Sequence, residues 1–307
     1  MDQAGGTTTT SRTALLATLA LLAITACWGS TFFLIHDLLD RVPVLDFLAL
    51  RFAMASLVVL LIAPRSIARL SPTKRKNAVV VGVLYGVAQI LQTAGLGHTS
   101  ASVGGFITGL YVVATPLFAA LLLSTRITGL TWAAVLLAMG GLAVLTLDDP
   151  AGLAGVGYGE VLIFLASLLY ALHIVGLGAW SSAQDAVGMA LIQCLVIAVV
   201  CGVAAAPGGI ELPTRVGDWL SITYMAVFAG AGALLGQTWA QAHLPPTRTA
   251  VIMTMEPVFA AFFAVLLGGE SASLRMLLGG AFVLVAMLLV ELGPRRKVEA
   301  EVPHLTV

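Results

Sequence analysis

Few side chains in this apolar sequence could do chemistry, and Glu256 is the first of them. It lies in the phrase EPVFAAFFAVLL, about eight residues into an apolar run, which is roughly 12 Å deep at a helical rise of about 1.5 Å per residue. Desolvation at such a depth favours the neutral, protonated form of a carboxyl group. Two interpretations are open: a cavity carboxylate that binds a cationic group or a proton, or a protonated glutamate that bonds to a neighbouring helix. We favour the cavity interpretation.

A proline follows this glutamate, and a similar phrase, TPLFAALLL, occurs earlier at residues 115–123. Proline cannot donate a backbone hydrogen bond and tends to kink a helix, and the carbonyl that it frees needs a polar partner or a cavity. We therefore predict helix kinks at Pro116 and Pro257. Thr115 takes the place of Glu256 in the first copy, so only one copy carries a titratable group there.

Four glutamines are spaced so that each pair shares one face of a helix. Gln89 and Gln92 are spaced i, i+3, and Gln237 and Gln241 are spaced i, i+4. An amide donates and accepts hydrogen bonds without the cost of burying a charge, which suits the lining of a polar cavity. Hydrogen bonds between helices, worth about 0.6 kcal/mol on average in a membrane, explain the same spacing equally well.

Four more polar or aromatic residues lie within apolar runs. Arg51 either anchors its helix, by bonding a carbonyl or by snorkelling to the surface, or receives a carboxylate of the substrate; we favour the anchor. Trp28 is too deep for an interfacial anchor, so we expect it to form an aromatic wall of the cavity. His173, which follows Tyr170 by about one turn, either titrates near neutral pH or is a hydrogen-bonded buried imidazole. His173 and Tyr170 are both candidate binding residues.

Helices must position these residues, because the composition favours no other fold. The chain has 307 residues, of which 59% are hydrophobic and 10% are charged, and its mean hydropathy is +1.02. Soluble domains have roughly 25% charged residues, and a helix that spans a bilayer needs about 20 apolar residues. The sequence therefore predicts an all-α integral membrane protein with ten transmembrane helices, near 13–34, 45–63, 78–97, 103–123, 130–147, 157–178, 186–206, 218–241, 248–267 and 275–293.

Basic residues are concentrated at one side of these predicted helices. The connection after the second helix, 65–76, is rich in lysine and arginine, and so is the segment 294–307 after the tenth. By the positive-inside rule, this distribution predicts a multi-pass membrane protein with both termini in the cytoplasm. Membrane topology explains the basic cluster without a nucleic-acid partner, so the lipid bilayer is the predicted surrounding.

The chain contains two copies of one unit. QTAGLGH at 92–98 recurs as QTWAQAH at 237–243. GGLAVL at 140–145 recurs as GGAFVL at 279–284, at a similar distance along the chain. Each copy holds five predicted helices, and because five is odd, the second copy enters the membrane from the opposite side. Inverted repeats are common in transporters, whose binding site lies where the repeats meet. The predicted units are an N-terminal tail, a first repeat, a second repeat and a C-terminal tail, at 1–12, 13–147, 157–293 and 294–307.

Three motifs occur in order within this arrangement: ACWGSTF around Trp28, then Arg51 early in the second helix, and PVFAA followed by LGGE ending at Glu270. Together they resemble the EamA family of the drug/metabolite transporter superfamily over nearly the whole chain. The resemblance implies a ten-helix inner-membrane carrier, usually an exporter of small metabolites, amino acids or drugs, with a central cavity. Family members often carry an acidic residue after the fourth helix as well. Thr125 and Arg126 stand there in this chain.

Motifs that the sequence lacks narrow the mechanism. It contains no GxxxxGK[S/T] phosphate-binding loop, which disfavours ATP as the energy source, and no HExxH metal motif. We therefore predict no cofactor, no metal site and no enzymatic activity. The favoured function is a secondary active transporter that moves a small-molecule substrate by alternating access with a proton as the candidate coupling ion; the export direction is what the family resemblance implies. A channel or a non-transporting membrane protein is the alternative, and an intramembrane enzyme is the least favoured.

Overall fold

The computed structural model describes residues 6–123, 129–146, 157–244, 246, 249, 252–253 and 255–292, and the regular structure within those ranges is helical, without a strand. The first half of the chain contains α1 (Gly6–Leu39), α2 (Val44–Ile62), α3 (Pro72–Leu96), α4 (Ala101–Thr108), α5 (Tyr111–Leu123) and α6 (Gly129–Thr146). The second half contains α7 (Tyr158–Trp180), α8 (Ala186–Ala205), α9 (Val216–Tyr224), a π-helical segment (Met225–Gly232), α10 (Ala233–Gln241), α11 (Met255–Leu266) and α12 (Leu274–Leu292).

Long apolar helices dominate the described residues. Seven helical segments there are long and apolar enough to cross a membrane, at Arg12–Leu39, Val44–Ile62, Pro72–Leu96, Ala101–Leu123, Tyr158–Trp180, Ala186–Gly208 and Val216–Gln241, and Met255–Leu266 and Leu274–Ala286 are shorter apolar helices. Large apolar side chains stay exposed on their outer faces, such as Leu61 at 74% and Ile62 at 77%, as lipid contact requires. Together with α6, these segments make ten apolar helices, five in each half of the chain. The protein is an all-α integral membrane protein with ten transmembrane helices in two inverted five-helix repeats.

The fourth transmembrane helix is interrupted inside the protein. Its first part, α4, ends at Thr108, and α5 begins at Tyr111 after a tight turn at Gly109 and Leu110. Pro116 is inside α5, after this interruption, so the predicted kink there stays a prediction. Pro257 is the third residue of α11, within the first turn, where a helix has no intrahelical acceptor for the missing N–H.

The two repeats pack against each other along several helix pairs. These pairs are α1 with α11, α2 with α8, α3 with α7, and α6 with α12, and each takes one helix from each repeat. Gly29 of α1 shows how closely the first pair approaches, because a Cβ atom at this position would lie 2.5 Å from the Cβ of Phe259 on α11. The hydrophobic core therefore lies largely at the interface between the repeats.

Polar contacts also join the repeats at one end of the bundle. Arg41 Nη2 lies 2.8 Å from Oδ1 of Asp218, and Thr99 Oγ1 donates a hydrogen bond to Glu160 Oε1 at 2.7 Å. Hydrogen bonds to Asp37 and Asp218 raise the pKa of Arg41 above its ordinary value, so the guanidinium stays charged. In a ten-helix chain these positions fall on the face opposite the termini.

Candidate functional site

A buried cavity lies where the two repeats meet. Its lining residues come from both halves of the chain and are Trp28, Thr31, Phe32, Ile35, Arg51, Tyr85, Gln89, Gln92, Thr108, Tyr111, Tyr170, His173, Ile174, Gln237, Met253 and Glu256. The cavity volume is about 30 Å³, on a measure by which one water needs about 10–15 Å³. The cavity thus has room for about two water molecules, and a larger ligand requires the surrounding helices to move apart.

Glu256 lies in the first turn of α11 and is 5% exposed. The hydroxyl oxygen of Tyr111 lies 3.0 Å from Glu256 Oε2 and 2.8 Å from the carbonyl oxygen of Met253. A phenol has one hydrogen, so both short contacts become full hydrogen bonds when Glu256 is protonated and donates to the Tyr111 oxygen. Among the described residues no cation pairs with this carboxyl group. The geometry therefore suits a neutral, protonated glutamate.

Thr115 occupies the position in the first repeat that corresponds to Glu256. Its side chain is fully buried, and its hydroxyl donates to the backbone carbonyl of Tyr111, one turn earlier in α5, at 2.7 Å. Unlike Glu256, it does not line the cavity. The two repeats therefore differ in chemistry at these corresponding positions, because the second repeat places a carboxyl group in the cavity lining where the first has a threonine outside it.

A chain of hydrogen bonds joins three helices along the cavity wall. Gln89 Nε2 donates to the hydroxyl of Tyr170 at 2.7 Å, and that hydroxyl donates to Gln92 Oε1 at 2.7 Å. Gln92 Nε2 then donates to Thr108 Oγ1 at 3.0 Å. The predicted pair, Gln89 and Gln92, thus lines the cavity and bonds between helices at the same time, so the two interpretations of its spacing describe one arrangement.

The second pair of glutamines is split. Gln237 lines the cavity, where its Nε2 makes a weak contact with Met253 Sδ at 3.8 Å and its Oε1 has no hydrogen-bond partner among the described residues. Gln241 lies outside the cavity, and its Nε2 donates to the carbonyl of Ile174 on α7 at 2.9 Å. Spacing alone could not separate the two roles, because both residues lie on the same face of α10.

Trp28 and Arg51 meet at one backbone carbonyl. Trp28 Nε1 donates to the oxygen of Ala229 at 2.8 Å, and Arg51 Nη2 points at the same oxygen from 3.4 Å. Ala229 belongs to the π-helical segment, whose altered hydrogen-bond pattern is often found at functional sites. Arg51 thus contacts a backbone carbonyl, which is one of the alternatives given for it above. Its side chain does not reach the surface, since Arg51 is only 1% exposed.

His173, Tyr85 and Tyr170 form an aromatic part of the lining. The imidazole Nε2 is 2.7 Å from Gln193 Oε1, and its ring lies 4.9 Å from the ring of Tyr85. His173 is thus hydrogen-bonded and buried. Tyr85 was not predicted from the sequence, yet Tyr85, Gln89 and Gln92 follow an i, i+4, i+7 pattern that places all three on one helix face.

Glu270, from the motif GGE, has its partners in the other repeat. Its Oε1 accepts hydrogen bonds from the backbone N–H groups of Ala101 at 2.8 Å and Ser102 at 3.4 Å, and its Oε2 accepts one from the Ser102 hydroxyl. A carboxylate at this position caps the N-terminus of α4 and complements its dipole. The corresponding residues of the first repeat, Thr125 and Arg126, lie outside the described residues.

Comparisons with known proteins agree with this architecture. The model of the EamA-like transporter family matches residues 15–147 and 157–292. An "Uncharacterized transporter" of Archaeoglobus fulgidus is 27% identical over 95% of this chain and 90% of its own length. The "Uncharacterized inner membrane transporter YedA" of Escherichia coli (strain K12) is 25% identical over 89% and 90%. A solved structure described as "Crystal structure of protein" has the same fold, with a TM-score of 0.68, 17% identity and coverage of 89% and 95%.

Proposed function

We propose that this chain, which belongs to the EamA-like transporter family of the drug/metabolite transporter superfamily, is a secondary carrier that exports a small molecule by alternating access. The observation that carries the proposal is one buried cavity that both repeats line with polar and aromatic side chains. Inverted repeats can form two similar conformations, one open to each side of the membrane. A cavity with room for about two waters supports a carrier over an open pore.

Glu256 is the proposed coupling residue. It is the titratable carboxyl group of the cavity lining, and its contact with Tyr111 suits the protonated state. When the cavity opens and water reaches the carboxyl group, solvation favours its ionised form, so the proton is released. Export of one substrate is therefore coupled to movement of a proton in the opposite direction.

The remaining predicted site residues divide into two proposed roles. The binding role belongs to the side chains that face the cavity, which are Trp28, Arg51, Gln89, Gln92, Tyr170, His173 and Gln237. Gln241 is proposed to position α10 against α7, because its hydrogen bond joins these helices and its own side chain is not part of the cavity lining.

The proposed placement is the inner membrane, with both termini in the cytoplasm and the repeats at 13–147 and 157–293. The basic residues at 65–76 support this orientation through the positive-inside rule. In this orientation, the contact between Arg41 and Asp218 lies at the outer face of the membrane and holds that face closed.

The first experiment measures metabolites released by cells that express this protein, with a broad panel that includes amino acids. Cells with the unmodified protein should release at least one compound faster than cells without it. Glu256→Gln should reduce that release to the level of cells without the protein, because glutamine keeps the size of the protonated glutamate but cannot exchange a proton.

Glu211→Gln is the matched control, because it makes the same chemical change at an exposed residue. It should release the compound like the unmodified protein, at equal expression. Equal release by Glu256→Gln and the unmodified protein would contradict the coupling role of Glu256. No change in any compound would contradict export of the panel.

A further inference from the structure

Arg51 is a buried cation without an anion. It is 1% exposed, and it is among the largest fully buried side chains of the described residues. Within those residues no carboxylate lies within ion-pair distance of it, and Glu256, on the same cavity, makes its hydrogen bond with Tyr111 instead. Burying an unpaired charge is costly, so an uncompensated guanidinium that lines a cavity needs a reason.

The contacts that Arg51 does make are weak. Its Nη1 is 3.5 Å from Gln89 Oε1, its Nη2 is 3.4 Å from the oxygen of Ala229, and its Nε has no hydrogen-bond partner in the described part of the chain. Charge-assisted hydrogen bonds of a guanidinium are usually about 2.7–2.9 Å long. The rings of Phe47 and Phe52, 5.9 and 5.2 Å from Cζ, add cation–π attraction but no negative charge. The guanidinium is therefore under-coordinated on the cavity side.

We propose that Arg51 binds a carboxylate group of the transported molecule. The inference rests on the proposed carrier function and specifies the chemistry of its substrate. A guanidinium presents its N–H groups as a planar fork that matches the two oxygens of a carboxylate. One fixed positive charge in the lining matches one negative charge, which favours a monoanionic carboxylate over a phosphate dianion. The tyrosines and Trp28 on the same wall suit the less polar remainder of such a molecule.

A purely structural role makes a different prediction. If Arg51 served only to hold α2 against the π-helical segment through the Ala229 carbonyl, the cavity would not distinguish an acid from its amide. If it binds substrate, replacing the carboxylate with a neutral carboxamide removes the charge that the fork recognises and leaves the guanidinium unpaired in the complex.

The test uses the full-length protein in liposomes loaded with a mixture of amino acids, the corresponding amino acid amides and simple carboxylates of similar size. Outward flux is measured after an inward proton gradient is imposed, and flux from protein-free liposomes is subtracted. We expect at least one acid to leave about tenfold or more faster than its amide, since hydrogen bonds to charged groups are the stronger class. Simple carboxylates that leave with the amino acids would show that the carboxylate alone is sufficient.

Amides that leave as fast as acids would overturn the inference and leave the carrier function standing. If neither the acids nor the amides show protein-dependent flux, both this inference and the proposed carrier function are overturned. Arg51→Gln should bring the acid-to-amide flux ratio close to one, and Arg51→Lys should retain part of the preference, because it keeps the charge without the fork. Arg215→Gln is the matched control, because it makes the same chemical change as Arg51→Gln at an exposed residue, and it should leave the ratio unchanged. A folded Arg51→Gln protein with the full preference would overturn the inference, and if that variant does not fold, the ratio of the unmodified protein decides.

Discussion

The hydroxyl groups of two tyrosines determine how the cavity residues are held. The Tyr111 hydroxyl lies against both Glu256 and the Met253 carbonyl, and the Tyr170 hydroxyl joins Gln89 to Gln92. In both cases a phenol connects groups that would otherwise be buried without partners. Removing either hydroxyl should therefore disturb its neighbours more than the loss of one oxygen atom suggests.

Tyr170→Phe should reduce the stability of the protein by about 1–3 kcal/mol, because it leaves the Gln89 amide and the Gln92 carbonyl buried without their partner. Tyr158→Phe is the matched control, since Tyr158 is 68% exposed. Both variants can be compared by thermal unfolding in detergent. Equal melting temperatures would mean that water replaces the hydroxyl and that the chain of hydrogen bonds is not required for stability.

Some cavity residues could be predicted from single positions, and others could not. Glu256, Trp28 and the first pair of glutamines stand out in the sequence because polar groups within apolar runs are rare. Tyr111 and Thr108 do not stand out, since their role depends on the interruption at Gly109 and Leu110, which turns both side chains toward the cavity. The split between Gln237 and Gln241 depends on the exact rotation of α10, which spacing does not specify.

At the scale of elements, the close contact between α6 and α12 depends on glycine. Gly140 and Gly141 are neighbours in sequence, but only Gly141 faces the other helix. A Cβ atom at Gly141 would lie 2.8 Å from the carbonyl oxygen of Gly279 and 2.9 Å from Cγ2 of Val283. At Gly140 a Cβ atom would meet nothing within 4 Å.

Gly141→Ala should therefore destabilise the protein by about 1–3 kcal/mol, because the helices must move apart. Gly140→Ala should be neutral or slightly stabilising, since alanine favours a helix by about 1 kcal/mol over glycine. The measurement is the fraction of folded protein against increasing concentrations of a denaturing detergent. The same loss in both variants would contradict this account, because it would show that the contact of Gly141 with α12 does not decide the outcome.

The number and type of helices could be predicted from composition and repeat pattern, and that prediction is confirmed by the structure and the family match. The interruptions could not. The fourth transmembrane helix is interrupted at Gly109 and Leu110, ahead of Pro116, and that interruption was not predicted from the sequence. The π-helical segment, Met225–Gly232, has no sequence signal of its own, because its register is set by packing against α1 and α2.

At the scale of the whole molecule, inverted repeats explain why one cavity has contributions from both halves. The contacts between repeats at the end of the bundle opposite the termini, such as Arg41 with Asp218 and Glu270 with the N-terminus of α4, join parts that must separate if that face opens. Lys74 of α3 forms the comparable contact at the other end, where its Nζ donates to the carbonyl of Trp180 at 2.6 Å. Transport by alternating access requires these two sets of contacts to break in turn.

The most direct measurement compares net efflux with equilibrium exchange of the released compound in liposomes that contain the unmodified protein or Glu256→Gln. A proton gradient should drive net efflux through the unmodified protein, and equal concentrations on both sides should support exchange. Glu256→Gln should lose the gradient-driven efflux but retain exchange, because its side chain resembles the protonated carboxyl group permanently. Gradient-driven efflux at the unmodified rate through Glu256→Gln would contradict the account.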